Sequence, residues 1–430
     1  MPKPIIVVVD PISTGSFILD RLLKDDSVEI VRVWSPSISA AAKALTVPGL
    51  RSDAFSIDFT TLEETATNLK QLFNDRILHV VSLSEPGVET ADELSEYLGV
   101  KSSNGTKYSS HRRNKHQQLE RIREANLHIP AQQLITSFAE AKEFMETLQA
   151  DVVLKPLSSA GSDNVFFIPH QDYALLETRF NSSFGKVNKM GITNDALIIQ
   201  EFCSGKEFVI DTVSLEGQHK LTACWLYSKI SLPNTGDFIY LGMELINPID
   251  PKVQRMFDYV CGVLDALEIK NFAGHAEVIY NEAKGTVTLL EIGARPHGGG
   301  GCFLPLQTAL IGYNLVDLFV SSLKGPEEFA KFNTLYPVQD GLHGFQLDMI
   351  NHNETGVLTG FNQDIIEKIK SHPAFHSFSE LPQVGKTLAK TIDCFTIPGS
   401  ITFVGVEDEV KGAVELVRAS ERDIFIVEKQ

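Results

Sequence analysis

The first thirty-odd residues switch between two hydrophobic patterns. Residues 5–9, IIVVV, form a continuous apolar run, the pattern of a strand buried on both faces of a parallel sheet. DPISTGS follows as a turn cluster, and FILDRLLKD then places Phe17, Ile18, Leu22 and Leu23 at helical spacing. VEIVRVW predicts the next strand and ILHVVSL, residues 77–83, a third. EPGVETADELSEYLG predicts a loop and a helix ended by Gly99. Together these predict an open α/β domain. The segment Asp10 to Ser16 then sits at the carboxyl end of the first strand, where ligand crevices open in this architecture. The STG turn is no full GxGxxG, so it reads first as turn chemistry.

Further on, KSSNGTKYSSHRRNKH at 101–116 is polar and basic and reads as a linker. HQQLERIREANL predicts a helix with Lys115 just before it, and spacing alone makes that lysine a solvated one. HIPAQQLITS predicts a strand. At 151–168, strands VVLKP and NVFFI flank a loop of small residues, Ser158 to Ser162. Such residues let backbone approach a ligand, and their N–H groups can cradle phosphate oxygens. Lys155 ends an apolar strand and needs an anionic partner if it points inward. The order is wrong for a Walker A loop, because the lysine precedes the glycine.

Residues 196–217 read as a strand, a break at CSGK and an alternating strand, with Glu201 and Glu207 flanking the break. Two interpretations stand side by side: a hairpin with solvent-facing acids, or a hinge whose backbone reads an adenine edge with a carboxylate on the ribose. A strand pair around LPNTGD follows at 221–247. An amphipathic helix at 252–269 carries Met256, Val260, Val263, Leu264 and Leu267 on one side. Beyond residue 301 come one or two apolar helices. Residues 341–430 then alternate short strands and turns, with a helix near 409–419. His343, His352, His372 and His376 are scattered there without metal-ligand spacing.

The most informative stretch is His275 to Gly301, HAEVIYNEAKGTVTLLEIGARPHGGGG. Two apolar, β-branched strands are joined by a polar turn ending in Gly, a hairpin signal. Glu277 lies near the start of one strand and Glu291 near the end of the other, so antiparallel pairing brings them side by side. Two like charges in apolar surroundings repel and are poorly solvated. A hard divalent cation such as Mg²⁺ resolves both problems. Arg295, His297 and a run of glycines follow at once. The plainer alternative is an ordinary hairpin with two rim carboxylates.

Composition narrows the picture. The 430 residues exceed one ordinary core and predict two to four domains. A net charge of −17 argues against non-specific nucleic-acid binding, which needs a basic surface. The five cysteines are odd in number, widely spaced and free of any CxxC pair, so neither a zinc site nor a disulfide framework is indicated, and a cytoplasmic setting fits. The IIVVV run is too short for a membrane span. No internal repeat is present.

In order, then, come a basic segment leading to Lys115, a strand ending in Lys155–Pro156 with a small-residue loop, the QEFCSGKEF break, Glu277 and Glu291 on paired strands, and Arg295. This order resembles the ATP-grasp superfamily of carboxylate–amine ligases, and within it the L-amino-acid ligase group that includes the bacilysin-forming dipeptide synthetase. The resemblance spans nearly the whole chain. It implies an α/β and α+β protein with the ATP-grasp fold: a Rossmann-like, open parallel-sheet domain at 1–110, a two-lobed ATP-binding core at 111–335 and a small α+β lobe at 336–430. It implies an enzyme that joins a carboxylic acid or amino-acid derivative to an L-amino acid through an acyl phosphate, releasing ADP and phosphate. Lys115 and Lys155 would contact nucleotide phosphates, with the loop bearing Ser159, Gly161 and Ser162 closing over them. Glu201 and Phe202 would form the adenine hinge and Glu207 would bind ribose. Glu277 and Glu291 would hold Mg²⁺, as two ions, or Mn²⁺. Arg295 would steady the substrate carboxylate and the acyl phosphate, and His297 with the glycines would line the amino-acid pocket. No general base for the amine is identifiable: His275 and His297 stand near enough in sequence, but His275 reads equally as a packed strand residue. The implied partners are small molecules, with no nucleic acid, no membrane and a homodimer as the assembly. A biotin carboxylase-like or purine-pathway enzyme, or a nucleotide-binding protein without activity, are the alternatives on the same fold. One departure stands out: many ATP-grasp enzymes carry Asn two positions after the second metal Glu, where this chain has Gly293.

Overall fold

The computed structural model of the chain describes residues 2–47, 49–157, 164–188, 191–231, 238–379 and 381–429. The loop residues Ser159, Gly161 and Ser162 lie outside the described residues.

The continuous apolar runs form a parallel sheet. The elements are β1 (Ile5–Val9), α1 (Thr14–Leu23), β2 (Glu29–Trp34), α2 (Ala40–Lys43), β3 (Phe55–Asp58), α3 (Leu62–Phe73), β4 (Ile77–Ser82) and α4 (Val88–Tyr97), with strand order β3-β2-β1-β4. Residues 35–76 supply α2, β3 and α3, which the patterns above do not predict. The run IIVVV is buried on both faces, as a strand between helices must be. Ile5, Val7 and Val9 pack with Leu69 and Leu94, whereas Ile6 and Val8 join Ile18, Leu19 and the large central core.

The basic segment before α5 (Lys115–Glu124) is not a linker. Arg112 is almost fully buried; it pairs with Asp92 at 2.8 Å and donates to the carbonyls of Asn104, Gly105, Leu267 and Glu268. A guanidinium with five N–H donors can satisfy that many acceptors in one plane. Polarity alone suggested solvent, but here it ties the first domain to the loop after residue 266.

A small lobe follows: β5 (Gln132–Ile135), α6 (Phe138–Leu148), β6 (Val152–Pro156), β7 (Phe166–Ile168), α7 (Tyr173–Ser183) and β8 (Leu197–Glu201). Its antiparallel sheet has the order β5-β8-β6-β7, over a core that includes Met145, Leu154 and Phe180.

The central body is an eight-stranded antiparallel sheet. Its elements in chain order are β9 (Lys206–Leu215), β10 (Gln218–Ser231), β11 (Phe238–Leu245), α8 (Pro251–Ala266), β12 (Phe272–Asn281), β13 (Thr286–Gly293), α9 (Leu304–Ile311), α10 (Leu315–Lys324), α11 (Pro326–Phe329) and β14 (His343–Asp348). The last part of the chain forms β15 (Gly356–Phe361), α12 (Gln363–Lys370), β16 (Phe375–Ser379), β17 (Thr387–Leu388), β18 (Ser400–Gly405), α13 (Glu407–Ser420) and β19 (Phe425–Glu428). The sheet runs β13-β12-β9-β10-β11-β14-β18-β16, so three strands of the last lobe extend it. That lobe still keeps an apolar cluster of its own around Leu347, Ile369, Phe403 and Val417. β8 and β9 belong to different sheets, so the CSGK break is a crossing between lobes and not a hairpin turn.

Helix α8 covers the inner face of the sheet with Val253, Met256, Val260, Val263 and Leu264, all buried at helical spacing. Each such side chain contributes about 1.5–3 kcal/mol on leaving water. No single helix among the described residues is long and apolar enough to cross a membrane. The apolar pair α9 and α10 is bent by 82° and packs into the central core. No disulfide links the cysteines among the described residues.

Candidate active site

The site grows from strand alternation. On β9, on β10 from Ala223 onward, past its register shift, and on β12, the odd-numbered residues share one face, because successive side chains alternate and paired residues face the same way. That face carries Glu207 and Asp211 from β9, Trp225, Tyr227 and Lys229 from β10, and His275 and Glu277 from β12. The even-numbered residues Phe208, Ile210, Ala276 and Val278 are buried on the opposite face.

In the β12–β13 pairing Glu277 lies directly opposite Glu291. The register shifts between Glu277 and Val278, so β13 carries an extra residue at this point. Bulges of this kind re-aim side chains beside active sites.

Four cations converge on these carboxylates from four separate elements. Lys115, the first residue of α5, pairs with Glu291 at 2.6 Å. It is therefore not the solvated lysine that spacing suggested. Lys229 pairs with Glu207 at 2.5 Å and lies over the ring of Tyr240. Lys155 is buried at the end of β6 and donates to Gln200 at 3.1 Å. Burial, and then the Lys115 charge, pull its amine down to about 8 despite the nearby glutamates. Arg295 follows β13 and donates its Nε to Glu85 at 2.9 Å.

The carboxylates are held by this field. Burial works to raise Glu277, but the His275 contact at 3.6 Å and the Lys229 and Lys115 charges outweigh it and hold the carboxyl at about 2. Burial raises Glu207, with Glu277 and Glu291 adding repulsion against the attraction of Lys229. Lys229 itself is held charged: burial opposes this, but Tyr240, Glu207 and Glu277 prevail.

A second polar group lies beside the first. Asp211 accepts from His275 Nδ1 at 2.8 Å, His297 Nδ1 at 2.7 Å and Trp225 Nε1 at 2.8 Å. His297 reaches Tyr227 through Nε2 at 3.1 Å and stacks on Phe303. Burial would raise the Asp211 carboxyl, yet the two imidazoles hold it well below the usual range. Asp211, His275 and His297 bring ligand-type atoms within 4.8 Å of one another. Those atoms already satisfy each other as hydrogen-bond partners.

Glu277, Glu291, Arg295, His275 and His297 stand on the wall of a cavity of about 1410 Å³, and Gly298 to Gly301 continue that wall. Ser13 and Phe17 close it from the first domain, and Gln346 and Phe395 from the last lobe. Thr14 Oγ1 donates to the Gly298 carbonyl at 2.7 Å, and the Gly300 N–H donates to Ser13 Oγ at 2.8 Å. A Cβ at Gly301 would sit 2.6 Å from the Phe17 ring, at a positive φ of 74°. The segment Asp10 to Ser16 thus docks on the glycine run.

Glu201 and Phe202 lie at the crossing between lobes. Their N–H groups are already given to the carbonyls of Ala131 and Asp151. Phe202 is 42% exposed with its ring against Phe167. The structure thus brings together Lys115, Lys155, Glu207, Glu277, Glu291 and Arg295, sets His297 in the neighbouring network, and leaves Glu201 and Phe202 at the lobe junction. Asp211, Trp225, Tyr227, Lys229, Glu85 and Arg113 were not singled out from sequence. Asp211 had a signal: a carboxylate inside the largely apolar run FVIDTV, in phase with Glu207.

With this geometry in hand, comparisons with known proteins are specific. Residues 148–303 match the ATP-grasp domain family. Dapdiamide A synthase from Enterobacter agglomerans is 28% identical over 330 residues, which cover 76% of this chain and 75% of that protein. The crystal structure of an L-amino acid ligase from Bacillus licheniformis superposes with a TM-score of 0.72 at 16% identity, covering 100% of both chains. Carboxyaminoimidazole ribonucleotide synthase from Aspergillus clavatus, in complex with ATP, superposes with a TM-score of 0.68 at 14% identity, covering 97% of this chain and 98% of that one. The structural matches share the fold.

Proposed function

We propose, on the premise that residues 148–303 are an ATP-grasp domain set in a chain of that fold throughout, that the protein is an ATP-dependent ligase joining the carboxylate of an amino acid or close derivative to the amine of an L-amino acid. The observation that carries this is what surrounds Glu277 and Glu291. Lys115 and Lys155 come near them from α5 and from the small lobe without lining the cavity, whereas Arg295 lines it together with the two carboxylates. A phosphoryl group held by the lysines would lie next to an acid held by Arg295. The relatives named as dapdiamide A synthase and L-amino acid ligase support the same class of reaction.

In this reading Lys115 and Lys155 contact the ATP phosphates. Glu201 and Phe202 edge the adenine. The amides of both are committed within the protein, so the base is met by the Glu201 side chain and the rest of the crossing. Glu207, fixed by Lys229, takes the ribose. The donor set at Glu277 and Glu291 fits Mg²⁺ or Mn²⁺: oxygen donors only, two carboxylates face to face and a third, Glu207, close enough to repel them. A hard cation bound there would neutralise phosphate charge. A carboxylate oxygen of the acid attacks the γ-phosphorus, the bond to ADP breaks and an acyl phosphate forms. The amine nitrogen then attacks the carbonyl carbon, the C–O bond to phosphate breaks, and the ammonium proton is lost. The residues contribute positioning and charge neutralisation, which dominate phosphoryl transfer. His297 and the glycines line the amino-acid end. Compartment and assembly follow the same reading: the cytoplasm, where ATP is supplied, and a homodimer.

The test is release of phosphate from ATP and Mg²⁺ with the twenty L-amino acids, singly and in pairs, alongside mass spectrometry. ADP formed only with particular pairs, and a product lighter than their sum by one water, is the expected result. AMP as the nucleotide product, or turnover that needs bicarbonate, overturns it.

A further inference from the structure

The glycine at 293 has a spatial reason. Its φ is not in the left-handed region, so backbone conformation does not require glycine there. Space does. A Cβ at Gly293 would lie 2.7 Å from Glu85 Oε2 and 3.0 Å from Arg295 Nε. Those two atoms are the acceptor and donor of one hydrogen bond, 2.9 Å long. Any side chain at 293 would drive into that bond. The space that a side chain at 293 would need is filled by a carboxylate from the first domain.

Glu85 stands just after β4, 210 residues before Arg295. Its other oxygen accepts from Arg113. Neither Glu85 nor Arg113 lies on the cavity wall, whereas Arg295 does. Arg295 is therefore gripped from behind. Its Nε is given to Glu85, and Nη1 to the Pro296 carbonyl at 3.1 Å. Two bonds fix the plane of a guanidinium, and Nη2 has no acceptor among the described residues. Burial opposes ionisation of Glu85, but Arg113, Arg295 and Lys115 hold its carboxyl at about 2, so the grip persists across the working pH range.

We infer that Glu85 is the positioning residue for Arg295, that Gly293 is the steric condition for it, and that the first domain thereby orients the group that holds the acid substrate. The inference rests on Arg295 gripping that acid, as proposed above.

Two measurements test it. The first needs no substrate: the arginine ¹H–¹⁵Nε NMR signal of Arg295, assigned by its loss in Arg295→Lys. It is expected to be sharp and slowly exchanging in the parent chain, and lost to exchange in Glu85→Gln, Glu85→Ala and Gly293→Ala. The second is steady-state kinetics with the L-amino-acid pair that drives the fastest ADP formation. Glu85→Gln should raise KM for the acid about tenfold or more, the scale of supporting-residue effects, with KM for ATP unchanged. Gly293→Asn should do the same in the parent and nothing further in a Glu85→Ala background, since the bond it disrupts is already gone. An unchanged Nε signal in Glu85→Gln, or independent and multiplying effects at 85 and 293, overturns the inference. If Arg295→Ala leaves the acid KM unchanged, the role of Arg295 as the acid grip fails; if Arg295→Ala raises it and Glu85→Gln does not, only the positioning role fails.

Discussion

Two buried polar clusters share one face of the central sheet, and they are built on opposite terms. Around Asp211 every donor meets an acceptor within the protein: two imidazoles and an indole converge on one carboxylate, and His297 reaches on to Tyr227. Around Glu277 and Glu291 the balance is left open. Two carboxylates face each other, a third repels them, and lysines from distant elements hold the group together. A saturated network specifies a fold, because each partner is costly to remove. A network with like charges held together is poised for a ligand that supplies what is missing. Burial of charge alone does not tell the two apart; the accounting of partners does.

Substitutions should separate the clusters. The largest effect expected is on turnover in Glu291→Gln: a loss of about a hundredfold or more, the scale for removing one preorganised electrostatic group, with the melting temperature essentially unchanged. A near-normal rate would remove Glu291 from the reacting centre. The mirror image is Asp211→Asn. The amide presents a donor where three donors already converge, which should cost about 3 kcal/mol of stability, read by denaturant unfolding. If Asp211→Asn is as stable as the parent, the contrast between the clusters collapses.

The next effect is one of pH. Lys155 is charged below about 8 in the free enzyme. As pH rises through that value the charge proposed above to bind phosphate is lost, so kcat/KM for ATP should fall on the alkaline side. Lys155→Arg keeps its charge and should carry the limb to higher pH. A limb that stays put would assign it to another group. The smallest effect is Tyr227→Phe, which deletes one hydrogen bond to His297 and should cost about 1 kcal/mol. An effect as large as that of Asp211→Asn would mean that the network acts as one unit and not as separable bonds.

Legibility in the sequence followed sequence distance. The hairpin bearing Glu277 and Glu291 could be read directly, because alternation and a polar turn ending in Gly285 are local properties. So could the parallel-sheet run at Ile5, the amphipathic helix at 251–266 and the alternating strand that follows the CSGK break. Arg112 was read as part of a linker because three of its five acceptors, the carbonyls of Leu267 and Glu268 and the Asp92 carboxylate on α4, lie outside that segment. Lys115 was read as solvated because Glu291, its partner, lies 176 positions further on.

What the amino-acid sequence determined by itself is therefore the elements with a regular pattern, though not α2, β3 and α3, together with the two carboxylates that a short turn must bring together. Strand period, turn chemistry and apolar spacing act over a few residues, and no distant contact can overrule a pattern so consistent. The tertiary structure alone decided the order of strands in the large sheet and which domains meet, and with them the partners that span long stretches of chain: His275 with Asp211, Lys115 with Glu291 and Glu85 with Arg295. Those pairings depend on which strands lie side by side and which domains meet. That is settled by burial of the whole core, and no single stretch of chain encodes it.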